Sequence, residues 1–140
     1  MAEITEKAYE SLRQYIIDQW HYIELQDEDG NPIIRLSPDD PRVEWVHELI
    51  EKEEQVLKGY DPMGYPIYET KIIKKLPNTL QIQIIIKGVD ISTPKTFAKS
   101  AIYDVRSDGE PLSIELFTPF VMINENDSIT VVHNIEVPQL

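Results

Sequence analysis

The segment from Thr79 to Lys87 constrains this chain most: Leu80, Ile82, Ile84 and Ile86 alternate with Gln81, Gln83 and Ile85. Successive side chains of a strand point to opposite faces, so this run places its large apolar groups on one side of a sheet. That side has to be covered, which calls for a second layer. The surrounding segments repeat the theme. Ile67 to Leu76, Ser100 to Val105, Ser113 to Met122 and Ser128 to Val137 are rich in β-branched and aromatic residues. They are punctuated by Pro77-Asn78, by Ser107-Asp108-Gly109-Glu110 and by Asn124-Glu125-Asn126-Asp127. Short strands separated by regular turn signals predict an antiparallel sandwich or barrel.

The first part of the chain reads differently. Ile4, Ala8, Leu12, Tyr15 and Ile16 recur at helical intervals, which predicts a helix over about residues 3–18 with one buried stripe. Trp20 to Gln26 suits a strand, and Asp27-Glu28-Asp29-Gly30-Asn31 is a hairpin signal leading to a return strand from Ile33 to Leu36. Ser37-Pro38-Asp39-Asp40-Pro41 ends that strand, since proline has no amide to give a central ladder.

Residues 42–58 admit two readings. Asp40 as N-cap, Pro41 at the first helical position, the face Val43, Val46, Ile50 and Leu57, and Gly59 as a stop argue for helix. Read as strand, Val43, Trp45, His47 and Leu49 share a face. The loop Gly59 to Pro66 has the Pro and Gly spacing of a tight connection. The expected fold is therefore α+β and mostly β: an N-terminal helix followed by an antiparallel β-sandwich-like domain. It forms a single domain over 1–140, with a β-rich body over about 20–138 that is strongest at 66–138.

Bulk properties remove several function classes. A chain of 140 residues can bury enough surface to fold without staples, and the absence of cysteine excludes disulfides, thiolate metal sites and a cysteine nucleophile. Thirteen basic residues against 25 acidic ones give a net charge of −12, which repels phosphate backbones, so nucleic acid is not an expected partner. Lys71, Lys74 and Lys75 form the one dense basic cluster and are expected on the exposed side of a strand. The longest apolar run, around Ile82 to Ile86, is far short of the roughly 20 residues of a membrane helix. The opening residues Met-Ala-Glu-Ile-Thr-Glu-Lys lack the basic-then-apolar order of a secretory signal.

The chemical motifs are sparse. Asp27-x-Asp29-Gly30-Asn31 has the alternating oxygens of a calcium loop, but its glycine comes one position too early for an EF-hand, and Pro38 stands where the bidentate glutamate belongs. His21, His47 and His133 are widely separated and belong to no zinc motif; His133 is expected as a structural, half-buried imidazole in a strand. Neither a GxSxG elbow nor a phosphate-binding glycine loop occurs, so the expectation is a non-enzymatic protein with no catalytic, cofactor or metal residues. Asn126-Asp127-Ser128 matches a glycosylation sequon and reads as a turn. Tyr60, Asp61, Met63, Tyr65 and Tyr68 surround the Pro62-Met63-Gly64 turn and form the candidate contact loop, since tyrosine offers contact area at low entropy cost. The alternative is that these tyrosines pack on their own strands.

Several strings also resemble the tail and tail-fibre-associated proteins of phages and prophages. They are Pro94 to Asp104 (PKTFAKSAIYD), Asp108 to Ser113 (DGEPLS), Glu115 to Phe120 (ELFTPF) and Ser128 to Val137 (SITVVHNIEV), with Trp20 to Asp27 and Asn31 to Leu36 upstream. Such proteins pair an apolar-aromatic-Asp strand end and a Gly turn with a Phe-x-Pro strand and a final Ile-Thr-Val strand. Glu48 to Leu76 departs from that pattern; as an extension of one hairpin it would make Tyr60 to Tyr68 a protruding tip, and residues 42–58 would then be strand. The resemblance implies a virion structural component, made in the host cytoplasm and free of enzymatic activity. It would act in a homo-oligomer with other tail proteins and would not insert in a membrane. A monomeric carbohydrate-binding sandwich that meets host surface glycan through the tyrosine loop is the competing expectation.

Overall fold

The structure, a computed structural model, describes residues 2–137, so Pro138, the expected end of the β-rich body, lies outside the described residues. One helix, α1 (Glu6–Gln19), precedes nine strands: β1 (Tyr22–Gln26), β2 (Pro32–Leu36), β3 (Val43–Trp45), β4 (Ile50–Tyr60), β5 (Pro66–Lys75), β6 (Thr79–Lys87), β7 (Lys95–Tyr103), β8 (Ser113–Met122) and β9 (Ser128–Glu136). The class is α+β and mostly β, with antiparallel pairing throughout. The chain divides into two compact units, one of Met1–His47 with Asn78–Leu140 and one of Glu48–Pro77.

The larger unit holds a four-stranded sheet in the order β2-β1-β7-β8 and a three-stranded sheet in the order β3-β6-β9. In the second sheet Leu80, Ile82, Ile84 and Ile86 lie opposite Ile135, His133, Val131 and Ile129, and Val43 and Trp45 lie opposite Ile84 and Ile82. The four β6 residues are wholly buried, as their alternation requires. In the first sheet Ile23 and Leu25 pair with Leu36 and Ile34 on one side and with Ile102 and Ser100 on the other. The two apolar faces meet in one interior, a sandwich-like arrangement in which a one-residue slip of β6 would turn its isoleucines outward.

The helix buries a stripe that shares only Ile16 with the one its periodicity suggested. Tyr9, Arg13 and Ile16 are buried, whereas Ile4, Leu12 and Tyr15 are exposed. Arg13 donates from Nη2 to Asn78 Oδ1 at 2.8 Å, and its Nη1 lies 3.6 Å from Glu6 Oε1. A partner 65 residues away thus selects which face turns inward, and helical spacing carries no sign of it.

Residues 42–58 form no helix: Val43–Trp45 and Ile50 onward are strand, with an irregular segment over 46–49, and the helix reading is overturned. Val43 and Trp45 face the core through β6, and Arg42 accompanies them by donating its backbone amide and its guanidinium to Asp40. The expected N-cap residue is thereby engaged in holding a turn. Pairing in a sheet has outweighed local helix propensity. Gly59 sits at a register shift in the β4–β5 ladder and does not stop a helix. The strand expected from Ser100 to Val105 instead runs from Lys95 to Tyr103, because the chain turns away at Asp104 into a loop where Asp108 and Gly109 adopt φ of 57° and 77°.

Gly88 opens the single-turn 3₁₀ segment after β6 and donates its amide to Asp127 O at 2.8 Å. A Cβ added there would run into the backbone of Asn124 and Glu125, while one at Gly59 would meet nothing. Gly88→Ala is therefore expected to destabilise the protein by about 1–3 kcal/mol, and Gly59→Ala to stay within about 1 kcal/mol of the parent. Urea denaturation of both variants provides the measurement; equal losses would contradict the steric account.

Candidate functional site

Three groups of side chains stand out, and the first is the candidate contact loop. Asp61 Oδ1 accepts the backbone amides of Met63 and Tyr65, both at 2.9 Å, and Gly64 donates to Asp61 O at 3.0 Å. Gly64 takes φ of 87°, which a side chain would resist. The Asp-Pro-Met-Gly sequence thus folds into a fixed turn joining β4 to β5, and the carboxylate of Asp61 is spent on that turn. Tyr60, Met63 and Tyr65 are 67%, 80% and 66% exposed, and Tyr68, opposite Leu57, is exposed as well. The turn brings these residues to one end of the ribbon but does not bury them.

The β4–β5 ribbon extends that exposure. Over its 11 and 10 residues no side chain is buried. Leu57, Tyr68 and Ile72 occupy one face, with Gln55 donating to Thr70 Oγ1 at 2.8 Å between them, and Val56, Ile67 and Ile73 occupy the other. Lys71 and Lys74 lie on exposed positions opposite Glu54 and Glu51.

The second group was not singled out by sequence reasoning. Arg35 Nε donates to Glu24 Oε2 at 2.7 Å, and its Nη1 donates to the carbonyls of Val105 and Asp108. Its guanidinium carbon lies 3.5 Å from the Tyr103 ring centroid, and Gln26 Nε2 donates to Glu24 Oε1 and to Tyr103 Oη. Glu24, Gln26 and Tyr103 are buried on the outer side of the first sheet. A cavity of about 520 Å³ adjoins them, lined also by Arg106, Ser107 and Gly109. The hairpin register that sets residue 24 opposite residue 35 was the one signal available for this pair. Chemically the cluster is a clamp, because Arg35 Nη1 pins the 104–112 loop through two carbonyls while Nε holds Glu24.

The third group centres on His133, fully buried in β9. Its Nδ1 lies 2.6 Å from Ser100 Oγ and its Nε2 lies 2.8 Å from Ser113 Oγ, so one imidazole ties β9 to β7 and β8. A hydroxyl stands at Nδ1, where a nucleophilic triad would place a carboxylate to stabilise the imidazolium. Burial pushes the His133 pKa below its usual value, and Glu115 opposes that shift more weakly.

The remaining candidates separate. His47 Nδ1 accepts the Gln81 amide at 3.2 Å, and His21 stacks edge-on against Tyr22. Neither is brought together with His133, and among the described residues no cluster of His, Cys, Asp and Glu has the geometry of a metal site. Asp27 Oδ1 accepts the amides of Asn31 and Asp29, so the calcium-like motif is a turn; the Asn31 amide in particular holds the Asp27 pKa below its ordinary value. Asp127 likewise caps the amides of Ile123 and Asn124, which makes the sequon a turn. Among the described residues no helix is long and apolar enough to cross a membrane.

No protein-family model, curated protein or solved structure matches the chain.

Two outcomes are expected. Arg35→Met leaves Glu24 buried without its cation and should cost about 3–5 kcal/mol in urea denaturation, whereas Arg35→Met combined with Glu24→Leu should recover much of that loss. Additive losses would show that the pair does not act as a unit. For His133, the folded-state pKa lies below the unfolded one, so its contribution is complete above about pH 6.5 and is lost as pH falls through the folded value. Asp40, whose pKa the Arg42 hydrogen bonds lower to about 2, loses its contribution further down, as pH falls from near 4 towards 2. Stability measured between pH 7 and 5 should decline, and less steeply in His133→Gln; an unchanged slope would contradict the account.

Proposed function

We propose that the chain is a non-enzymatic assembly protein of the kind used in phage and prophage tails, working in a homo-oligomer and with other tail proteins. The observation that carries the assembly reading is the β4–β5 ribbon, which buries none of its own side chains while holding Leu57, Ile67, Tyr68 and Ile72 on its faces. Two-stranded ribbons are marginal in water unless a further layer covers them, and another subunit is the cover this reading supplies. Exposed tyrosine and methionine beside the ribbon turn suit such contacts, since both bury large area and adapt to a partner.

The tail setting rests on the strings that resemble tail proteins, in particular Glu115 to Phe120 and Ser128 to Val137, which form the cores of β8 and β9. A net charge of −12 keeps many copies apart before assembly. In this reading the protein is made in the host cytoplasm and ends in the virion.

A second reading draws on the fixed turn. Tyr60 and Tyr65, held by Asp61 and presented to solvent, could stack on a sugar ring in a monomeric binding module.

Light scattering over a range of concentrations separates the two. The assembly reading expects an oligomer, together with neighbouring genes for tail parts. A monomer at every concentration, in a gene neighbourhood without tail genes, removes it. The sugar reading expects Tyr60→Ala with Tyr65→Ala to abolish retention on cell-wall glycan, and unchanged retention removes that alternative.

A further inference from the structure

On its outer side the first sheet carries polar side chains that are nearly sealed from water. Glu24, Gln26 and Tyr103 are 4%, 6% and 6% exposed, and the Arg35 side chain 11%. Arg35 Nε and Gln26 Nε2 hold the two oxygens of the Glu24 carboxylate, at 2.7 and 2.8 Å, so the guanidinium and the amide are fixed neighbours. Each is left with an unused function. Arg35 commits Nε to Glu24 and Nη1 to the carbonyls of Val105 and Asp108, and among the described residues nothing accepts from its Nη2. Gln26 commits its amide nitrogen to Glu24 and to Tyr103 Oη, and among the described residues nothing donates to its Oε1. Polar groups so nearly buried normally find partners, and both side chains line the cavity of about 520 Å³.

One rim of this cavity is the loop that Arg35 pins. It presents Arg106, Ser107 and Asp108, all exposed, and among the described residues none of these three side chains has a partner. The opposite rim is the β1–β2 hairpin, with Gly30 and Pro32. The volume is in the range of small-molecule sites, and polar groups already held in place lose little freedom when a ligand engages them.

The unused functions select the ligand. Arg35 and Arg106 offer donors, while Gln26 Oε1 and the Asp108 carboxylate offer acceptors. An anion brings acceptors alone and would meet two acceptors without a proton between them; a cation would face two guanidinium groups. Charge does not favour an anion either. On the lining Glu24 and Asp108 balance Arg35 and Arg106, Lys99 approaches at Gly30, and the chain as a whole carries −12. A hydroxyl group both donates and accepts, and hydroxyls on adjacent carbons present that pair of functions repeatedly at short intervals, as the lining does.

We propose that this cavity binds a neutral sugar, whose hydroxyls accept from Arg35 Nη2 and Arg106 and donate to Gln26 Oε1 and Asp108. The site belongs entirely to the larger unit, shares no residue with the Tyr60–Tyr65 turn, and stands whether or not the chain assembles.

The test is saturation-transfer NMR on the full-length protein, offered glucose, galactose, mannose and N-acetylglucosamine in turn, with inorganic phosphate and triglycine as competitors. At least one of the four sugars is expected to give a saturable signal that neither competitor reduces. Arg106→Ala changes an exposed side chain, and Gln26→Leu keeps the bulk of the amide without its functions; each should weaken binding by about tenfold. Tyr60→Ala with Tyr65→Ala should bind as the parent does. Circular dichroism melting checks that Gln26→Leu keeps the parental fold, and if it does not, Arg106→Ala decides. The proposal is overturned if none of the four sugars gives a saturable signal, if phosphate or triglycine displaces the sugar, or if Arg106→Ala binds as tightly as the parent. A signal lost in the tyrosine variant and kept in Arg106→Ala would move sugar binding to the turn, and so overturns the cavity assignment while supporting the second reading above.

Discussion

The interior shared by two small sheets is the constraint on which the larger unit depends. β6 supplies it with Leu80, Ile82, Ile84 and Ile86, all wholly buried, and the neighbouring strands are placed so that Val43, Val131 and Ile135 lie beside them. Burial of a large aliphatic side chain contributes about 1.5–3 kcal/mol, so this one strand outweighs any single polar contact in the molecule. Register is constrained by it, because a one-residue slip would turn the same residues outward.

Within that apolar interior His133 is an exception with a structural reason. The sheets have separate ladders, and an imidazole with two nitrogens can meet hydroxyls from two neighbouring strands at once. Ser100 and Ser113 provide them, and the group stays neutral because burial disfavours its charge. Glu115 does comparable work at the surface by accepting the β9 amide of Asn134 that a strand would otherwise take. Side chains thus join β8 to β9 where a backbone ladder is missing. On the outer side of the first sheet, Arg35 and Glu24 perform a related task for the 104–112 loop, with Tyr103 beneath the guanidinium.

The Glu48–Pro77 unit obeys a different rule. Its strands pair over almost their whole length, and cross-strand partners such as Glu51 with Lys74 and Glu54 with Lys71 have opposite charge, which favours the pairing modestly. Backbone hydrogen bonds and such pairs can shape a ribbon, yet they leave its apolar side chains in water. That imbalance recurs on β8, whose Ile114 and Leu116 are likewise exposed.

The local signals proved reliable where the physics is local. The alternation of β6, the Asp-Gly-Asn turn after β1 and the Asp-Pro-Met-Gly turn after β4 could be read from neighbouring residues, since pleat and turn geometry involve only a few positions. Three other features depended on residues far apart. Arg13 is buried because Asn78 receives it, so Tyr9 and Ile16 turn inward and Leu12 and Tyr15 do not. Residues 43–45 are strand because β6 offers them a partner, despite a sequence that also suits a helix. Glu24 is buried and Arg35 half-buried where a loop 70 residues beyond Arg35 folds over them, as the 3.1 Å bond from Arg35 to Val105 O records. The sequence by itself determined a mostly β chain with an apolar strand face at 80–86 and sharp turns at Asp27 and Asp61. Only the tertiary structure decided which helix face is buried, which polar groups enter the core and which apolar strands stay uncovered, because those outcomes depend on what each residue meets and not on what it is.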